Sequence, residues 1–371
     1  MPVWSVLEAP VRRNLKELGP DELSAWLADE GEPRYRARQI LQWLYRRQVT
    51  SFAAMSDLSK TLRERLEGAF TIERPRVVRL ARSADGTRKF LFALGDGSEV
   101  ESVLIPAELS DRLTLCLSSQ VGCGMGCAFC ATARLGLRRN LRAHEIVDQV
   151  LEATEELAGD RARGEPQSTI TNIVFMGMGE PMHNYDEVVR ALGILTAEWG
   201  VGFSPRRITV STVGLVPQMK RLIDETRVNL AVSLSGTTDR VRSRLIPVNR
   251  KYPLESLLDA CRALPLPSRK RITFEYVMLA GENDSREDAR RLGTLLRGIP
   301  SKVNLIPFNA FAGSGFASTD RPAIEAFRAA LLRQGVHATI RESRGPDIQA
   351  ACGQLAGERA ERTVASPATL T

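Results

Sequence analysis

The feature that most constrains this chain is a cysteine triplet in a glycine-containing loop, which runs Cys123-Gly-Met-Gly-Cys127-Ala-Phe-Cys130. Glycine permits the backbone turns that bring three sulfurs towards one point. Three closely spaced thiolates suit an iron–sulfur cluster better than a structural zinc ion, which needs a fourth ligand and commonly uses two Cys-x₂-Cys pairs. The sequence has no second pair of this kind. A zinc site or three buried, inert cysteines is the alternative interpretation.

The composition excludes a membrane protein or a small disulfide-stabilised one. The chain has 371 residues, of which 43% are hydrophobic and 26% charged, as in a soluble globular protein. No apolar run approaches the roughly 18 residues of a membrane span, and the N-terminus lacks the apolar core of a signal peptide. We therefore expect a cytoplasmic protein. In that reducing compartment its six cysteines indicate metal ligands or catalytic thiols.

The N-terminal part, residues 1–75, is predicted to be a helical domain with concentrated positive charge. Helices are expected from Pro20, over residues 35–47 and over residues 58–66, and the second is rich in arginine. The net charge of the chain is +7, which favours a polyanionic partner. These arginines form either a solvated face or a surface that contacts phosphates.

From about residue 76, apolar and polar residues alternate with a period of two. This pattern predicts a small β extension over residues 76–112. Strands are expected over residues 77–80, 89–94 and 100–105. Glu101 interrupts the apolar pattern of the third strand, just upstream of the cysteine loop. A position facing solvent is the simple alternative for this residue.

From residue 113 to residue 355, strands and helices alternate. This pattern predicts an α/β fold with a parallel sheet, closed or partly closed as a barrel, and with ligands at the C-terminal ends of the strands. Core strands are expected over residues 113–117, 170–176, 207–211, 229–234, 271–278 and 303–307. The polar tail, residues 356–371, is expected to be disordered.

Polar residues follow several of these strands. Gly177-Met-Gly179-Glu180-Pro follows the second strand, and the next strands end near Ser211, Ser233 and Asn309. Singly, each is as compatible with a cap or a turn as with a ligand contact. Together, they predict a ring of ligand-binding groups.

Two further cysteines lie outside the triplet in distinctive contexts. Cys116 is on the strand that leads into the loop, and Cys352 lies near the C-terminus among small residues. Each is either a functional thiol or a buried free cysteine. Cys261, on an amphipathic helix, is expected to be a buried thiol.

The motifs together resemble the dual-specificity rRNA and tRNA adenine-C2 methyltransferases of the radical S-adenosylmethionine (SAM) superfamily. The resemblance covers roughly residues 10–356 and rests on the segments VESVLIP, LCLSSQVGC-x₃-C-x-FC, GMGEP, STVGLVP, SLS, LIPFN and ACGQL. It implies a partial (β/α)₆ radical SAM barrel with an N-terminal helical accessory domain. It also implies one 4Fe–4S cluster held by Cys123, Cys127 and Cys130, with an open iron for SAM.

The resemblance further implies how the reaction proceeds. Adenine C2 has no nucleophilic character, so the family first methylates a cysteine, which corresponds here to Cys352. A second SAM yields a radical that activates this methyl group for addition to C2. Glu101 then acts as the base that removes the C2 proton. Cys116 releases the product by attacking the Cys352 sulfur, which leaves a disulfide.

The same resemblance implies ligands and partners. The implied partners are 23S rRNA, tRNA and an electron donor such as flavodoxin or ferredoxin, and a monomer without membrane contact is expected. Many relatives carry histidine where this chain has Ser235. Arg138, Arg139 and Arg142 are expected to add phosphate contacts. The implied SAM contacts are Gly179, Glu180, Ser211, Ser233, Leu234, Ser235 and Asn309.

Two rival functions are compatible with parts of this pattern. One is the related C8-adenine rRNA methyltransferase of the antibiotic-resistance type, which uses the same paired cysteines. The other is an iron–sulfur protein that binds RNA or senses redox state without catalysis. The second rival leaves Cys352, Glu101 and the GMGEP segment without a role.

Overall fold

The computed structural model describes residues 12–107, 110–164 and 168–355. The predicted tail, residues 356–371, and residues 1–11 of the predicted N-terminal domain lie outside the described residues. The chain divides into two compact units. The first consists of residues up to Arg74 together with Ile194–Gly202, and the second of Pro75–Gly193 and the residues from Phe203 onward. The sequence pattern did not indicate that a segment near residue 200 belongs to the first unit.

In its described residues, the first unit contains three α-helices and a two-stranded parallel ladder. Its core consists of leucines and isoleucines at helical spacing, such as Leu23, Leu27 and Ile40, each fully buried. Pro20 opens the first helix, and the Ser59 hydroxyl caps the third by accepting a hydrogen bond from the Leu62 amide. The elements are β1 (Arg13–Asn14), α1 (Pro20–Asp29), α2 (Tyr35–Tyr45), α3 (Lys60–Ala69) and β2 (Phe70–Thr71).

The second unit alternates strands and helices after an initial antiparallel section. Its strands are β3 (Arg76–Arg82), β4 (Arg88–Ala93), β5 (Glu99–Ala107), β6 (Ser110–Cys116), β7 (Gln120–Gly122), β8 (Leu137–Asn140), β9 (Thr169–Phe175), β10 (Ile208–Thr212), β11 (Asn229–Ser233), β12 (Ile272–Met278), β13 (Ser301–Pro307) and β14 (Ala338–Ile340). Its helices are α4 (Ala131–Arg134), α5 (Ala143–Ala162), α6 (Tyr185–Thr196), α7 (Val216–Glu225), α8 (Asp239–Leu245), α9 (Leu254–Ala263), α10 (Arg286–Leu295) and α11 (Arg321–Arg333), with α6 running on into the segment of the first unit.

Ten strands form one sheet in the order β14-β13-β12-β11-β10-β9-β6-β5-β4-β3. Pairing is parallel from β14 to β6 and antiparallel from β6 to β3. The predicted parallel α/β sheet with a β extension is therefore confirmed. The structure adds β14, which the sequence pattern did not predict, next to β13.

The central strands are apolar because both of their faces are covered. Ile208, Val210, Val232 and Phe274 are all fully buried. Their carboxyl ends lie at one edge of the sheet, where the cysteine loop and the polar segments follow. None of the helices in residues 12–107, 110–164 and 168–355 has the length and hydropathy needed to cross a membrane.

Side-chain amides fix the two ends of the cysteine loop. The Asn184 side chain donates to the carbonyls of Ser119 and Leu141, both at 2.8 Å, so one buried amide joins the segment before the loop to the segment after it. The Gln149 side chain accepts from the Ser118 amide at 2.9 Å and donates to its carbonyl at 3.0 Å. The loop therefore starts and ends on a rigid frame.

We expect Asn184→Ala to destabilise the protein because it removes the donor from two buried carbonyl groups. The free energy of unfolding should fall by about 1–3 kcal/mol, measured by urea denaturation. Asp186→Ala is the matched control, since this nearby side chain is 89% exposed and its ion pair with Arg221 lies at the surface. Equal stability of the two variants would contradict the role given to Asn184.

Candidate active site

The three cysteines of the triplet line one cavity together with residues at the strand ends. The space between its walls, together with the open solvent at its mouth, amounts to about 940 Å³. Its wall includes five of the predicted SAM contacts, namely Gly179, Glu180, Ser211, Ser233 and Asn309. We call it the first cavity. Its composition brings thiols, a carboxylate, hydroxyls and an amide to one place.

The thiols of the triplet lie in a desolvated setting. Burial raises the pKa of Cys123 to about 12 and raises the pKa values of Cys127 and Cys130 as well. Such thiols become thiolates only when a strong local positive charge is present, as iron supplies. Three such thiols on one loop suit a cluster, in which each cysteine binds a different iron, better than a zinc ion, which needs a fourth ligand.

The GMGEP segment is held directly against the strand that enters the loop. Gly179 has φ +99°, and a Cβ there would lie 2.6 Å from the Gln120 Cβ. Only glycine fits this close approach. The Gln120 side chain accepts a hydrogen bond from the Glu180 amide at 2.8 Å. Gln120, which the sequence reasoning did not single out, thus couples the cysteine loop to the predicted SAM-binding segment.

The Glu180 carboxylate is aimed by backbone amides. It accepts hydrogen bonds from Met182 at 3.0 Å and from Val213 at 2.9 Å, although it is almost fully buried. Burial raises the pKa of Glu180 to about 7, against the lowering effect of these hydrogen bonds. A cationic ligand in the first cavity would favour the ionised form of this carboxylate.

Two predicted SAM contacts do not line the first cavity. Leu234 and Ser235 are fully buried, and the Ser235 hydroxyl accepts a hydrogen bond from the Val277 amide at 3.1 Å. Ser235 has φ +44°, and its carbonyl accepts from the Asn283 side chain at 2.9 Å. In this conformation the side chain of Ser235 fixes the turn after β11.

Cys116 and Cys352 line a second cavity, together with Met176, Asn309 and Arg341. Cys352 also lines the first cavity, so it lies where the two cavities meet. Burial and the neighbouring Cys352 raise the pKa of Cys116 to about 12, and Arg341 opposes this rise. All six cysteines are free thiols.

Arg341 and Glu275 are site residues that the sequence reasoning missed. One guanidinium nitrogen of Arg341 lies 3.4 Å from a Glu275 carboxylate oxygen and 3.2 Å from the Met176 sulfur. The other Glu275 oxygen accepts from the Ser211 hydroxyl at 2.9 Å. This chain of contacts connects the thiol pair to a strand end of the first cavity. Glu275 is an acidic residue within the otherwise apolar strand β12. This position was the signal in the sequence that could have identified it as a site residue.

Glu101 is only 4% exposed, which excludes the alternative that it faces solvent. Its carboxylate pairs with the Lys89 ammonium at 2.9 Å. Lys89 also donates to the carbonyl of Gln349, three residues before Cys352 in the chain, at 3.4 Å. Glu101 does not itself line either cavity, but this ion pair connects it to the segment that carries Cys352.

The remaining residues singled out from sequence have plainer surroundings. Cys261 is buried on α9, as expected for an inert thiol. The Arg139 guanidinium bonds both oxygens of Glu145 at 2.8 Å and also bonds Asp96 at 2.6 Å. Arg139 is therefore occupied within the protein, whereas Arg138 and Arg142 are exposed.

Comparison with known proteins identifies the family. A family model described as the ribosomal RNA large subunit methyltransferase N-terminal domain matches residues 13–72, and the radical SAM superfamily model matches residues 117–293. The chain is 54% identical over 345 residues to the dual-specificity RNA methyltransferase RlmN of Geobacter sulfurreducens, covering 93% of this chain and 92% of the relative. The chain belongs to the RlmN family of radical SAM enzymes. The resemblance inferred from the motifs is confirmed.

Further relatives agree over nearly the whole chain. The RlmN of Anaeromyxobacter dehalogenans is 51% identical over 348 residues, covering 93% of this chain and 92% of the relative. A crystal structure of a radical SAM methyltransferase from Sphaerobacter thermophilus has a TM-score of 0.84 and 46% sequence identity, covering 92% of this chain and 99% of that one. The fold is therefore the radical SAM fold, and the cofactors of this family are a 4Fe–4S cluster and SAM.

We expect the raised pKa of Glu180 to appear in the pH dependence of stability. Between pH 4.5 and about 7 the folded protein without ligands holds a proton that the unfolded chain releases, so the free energy of unfolding should decrease as pH rises through this window. The decrease should be roughly 3 kcal/mol and should vanish in Glu180→Gln, measured by urea denaturation at each pH. Glu255→Gln, at an exposed position of α9, should keep the decrease. A decrease that persists in Glu180→Gln would assign it to other groups.

Proposed function

We propose that this chain methylates C2 of adenosine in 23S rRNA and in tRNA, with Cys352 as methyl carrier, Cys116 as resolving thiol and Glu101 as base. The observation that carries this proposal is the place of Cys352, between the cavity of the cluster cysteines and the cavity of Cys116. The relatives are described as dual-specificity RNA methyltransferases, which supports both RNA substrates.

The chemistry of adenine explains why a carrier thiol is needed. C2 lies between two ring nitrogens and is electron-poor, so it does not attack a methyl cation equivalent. The cluster and SAM, when bound, supply a methyl group and an organic radical. A carrier thiol divides the reaction into two steps. It first accepts the methyl group and then presents it to adenine for the radical step. Cys352 can serve both steps because it borders both cavities.

Release of the product requires a second thiol. The Cys116 thiolate attacks the Cys352 sulfur, and the bond from that sulfur to the transferred carbon breaks. The electron pair stays on the transferred carbon, which takes up a proton and becomes the methyl group of the base. The two sulfurs end as a disulfide, and a dithiol reductant restores both thiols. Burial raises the pKa of Cys116 and favours the neutral thiol at neutral pH. The nearby guanidinium of Arg341 acts in the opposite direction and favours the thiolate.

Glu101 is proposed to remove the C2 proton before release. Its carboxylate lies in a buried site and pairs there with the Lys89 ammonium group. Lys89 also contacts the Gln349 carbonyl, so it would hold the Glu101 carboxylate in a fixed position relative to the segment that carries Cys352. RNA must bring the adenine within reach of Glu101, since this side chain does not line either cavity in the protein alone.

The SAM contacts proposed are Gly179, Glu180, Ser211, Ser233, Leu234, Ser235 and Asn309. Glu180 suits the ammonium group of SAM because its buried carboxylate is held by two backbone amides. For Leu234 and Ser235, the contact would be through the backbone.

The proposed partners are RNA, which surface arginines would contact, and an electron donor. Exposed arginines on and beside α2, namely Arg34, Arg38, Arg46 and Arg47, would contact phosphates together with Arg138 and Arg142. These contacts would help to offset the few kcal/mol needed to extrude a stacked base. Flavodoxin or ferredoxin would supply electrons. The protein would act as a monomer in the cytoplasm, where its free thiols stay reduced.

The function is tested by anaerobic reconstitution with iron, sulfide, SAM and a reductant, followed by incubation with rRNA or tRNA and mass spectrometry of the nucleosides. The proposal predicts 2-methyladenosine in both RNAs. The comparisons do not favour the C8-methylating alternative, and 8-methyladenosine as the product would restore it. A reconstituted protein that binds RNA but yields neither nucleoside would support the non-catalytic alternative.

We expect Cys116→Ala to accumulate RNA attached covalently to Cys352, because the attacking thiol is missing. The adduct should appear as a retarded protein band in denaturing gels after incubation with SAM and RNA, while turnover falls by at least 10²-fold. Cys261→Ala is the matched control, since it removes another buried thiol that lines neither cavity. Normal turnover of Cys116→Ala would remove Cys116 from the proposed mechanism.

A further inference from the structure

Arg242 on α8 is a buried cation without an ionic partner. It is the largest fully buried side chain in the described residues, with 0% exposure. No carboxylate oxygen of these residues lies within 4.0 Å of its guanidinium. The Nε atom, moreover, finds no hydrogen-bond partner in the described part of the chain. A charge in such a place destabilises a protein by several kcal/mol unless an opposite charge is supplied.

The groups that contact Arg242 are all neutral. Its guanidinium donates to the Asn249 side chain at 2.9 Å, to the Val213 carbonyl at 2.7 Å and to the Ser233 carbonyl at 3.2 Å. The nearest acid in this network is Asp239, which is separated from Arg242 by Asn249 and which also caps α9 through the Leu254 amide. The protein thus solvates the guanidinium but does not neutralise it.

The same contacts place Arg242 beside the first cavity. Val213 and Ser233 line that cavity, and the Val213 amide also bonds Glu180. The helix that carries Arg242 packs against the cysteine loop, because Leu245 and Ile246 form one apolar cluster with Cys127. The Leu245 carbonyl accepts a hydrogen bond from the Ala128 amide at 2.9 Å, immediately after Cys127. The positive charge is therefore fixed next to a predicted cluster ligand.

We propose that Arg242 is the buried counter-cation of the iron–sulfur cluster and raises its reduction potential. A cluster bound by three thiolates is anionic, and reduction adds one more negative charge. A fixed positive charge in a medium of low dielectric constant stabilises the reduced form more than the oxidised form. Arg242 is a positioning residue in this proposal, since it also joins the ends of β10 and β11.

The test compares variants of the reconstituted holoenzyme by redox titration followed by electron paramagnetic resonance. Arg242→Gln keeps a hydrogen-bond donor but removes the charge, and Arg242→Lys keeps the charge but removes the planar fork. Arg240→Gln is the matched control, because it removes the same charge from an exposed position of α8. Iron and sulfide content shows whether each variant holds a complete cluster.

The proposal predicts a midpoint potential for Arg242→Gln below that of Arg240→Gln. The ratio of reduced to oxidised cluster at a fixed potential should fall at least tenfold, which is about 59 mV for one electron. Arg242→Lys should stay close to the unmodified protein. Equal potentials for Arg242→Gln and Arg240→Gln would overturn the proposal and leave Arg242 a purely structural role.

If Arg242→Gln fails to bind a cluster, its potential cannot be measured. Thermal unfolding of the cluster-free proteins then tests whether the charge of Arg242 or its hydrogen bonds explain the defect. A counter-cation lacks its partner in that form, so Arg242→Gln should be at least as stable as Arg240→Gln there. If Arg242→Gln were much less stable without the cluster, its hydrogen bonds rather than its charge would explain the defect, and the proposal would fail.

Discussion

Parallel pairing of six strands, from β6 to β13, is the constraint on which the site depends. Because every one of these strands runs in the same direction, their carboxyl ends meet at one edge of the sheet. Cys116, Ser211, Ser233 and Glu275 reach that edge from different strands, and the cysteine loop follows β6 after the short strand β7. The returning segment after β14 then brings Cys352 to the same place.

The polar groups at this edge of the sheet are largely shielded from water. Thiols, carboxylates and guanidinium groups lie there with little access to water, and a buried charged group is costly unless a specific partner lies beside it. Glu101 has Lys89, Glu275 has Arg341, and the triplet of thiols requires iron. Arg242 and Glu180 are the two groups whose ionic partners the described residues do not supply. Glu180 lines the first cavity, and Arg242 donates to two residues that line it, which is the pattern of a site organised for ligands of opposite charge.

The sequence was most informative where chemistry requires particular residue types. The cysteine spacing, the GMGEP segment and the contexts of Cys116 and Cys352 identified the family, and the apolar runs located the core strands. It was least informative where function depends on burial of a charged residue. Arg242 lies in a short helix with Arg240 and Arg244, and nothing in that run distinguishes the buried arginine from the two exposed ones.

Two other features depended on contacts distant in sequence. Arg341 follows β14, which is too short for a periodic pattern, and its role is apparent only beside Glu275 and Met176. Gln120 acquires its role from Gly179 and Glu180, about sixty residues later. Only the folded chain relates such positions.

The most direct measurement supplies the reconstituted enzyme with SAM whose transferable methyl group carries three deuterium atoms, and then weighs the methyladenosine formed. A methyl group carried on Cys352 must lose one hydrogen atom before its carbon can bond to C2. If Cys352 carries the methyl group, the product methyl group should contain two deuterium atoms. This result is expected once every unlabelled methyl group on Cys352 has been replaced by a labelled one. A product with all three deuterium atoms would show direct transfer to the base and would contradict the role proposed for Cys352.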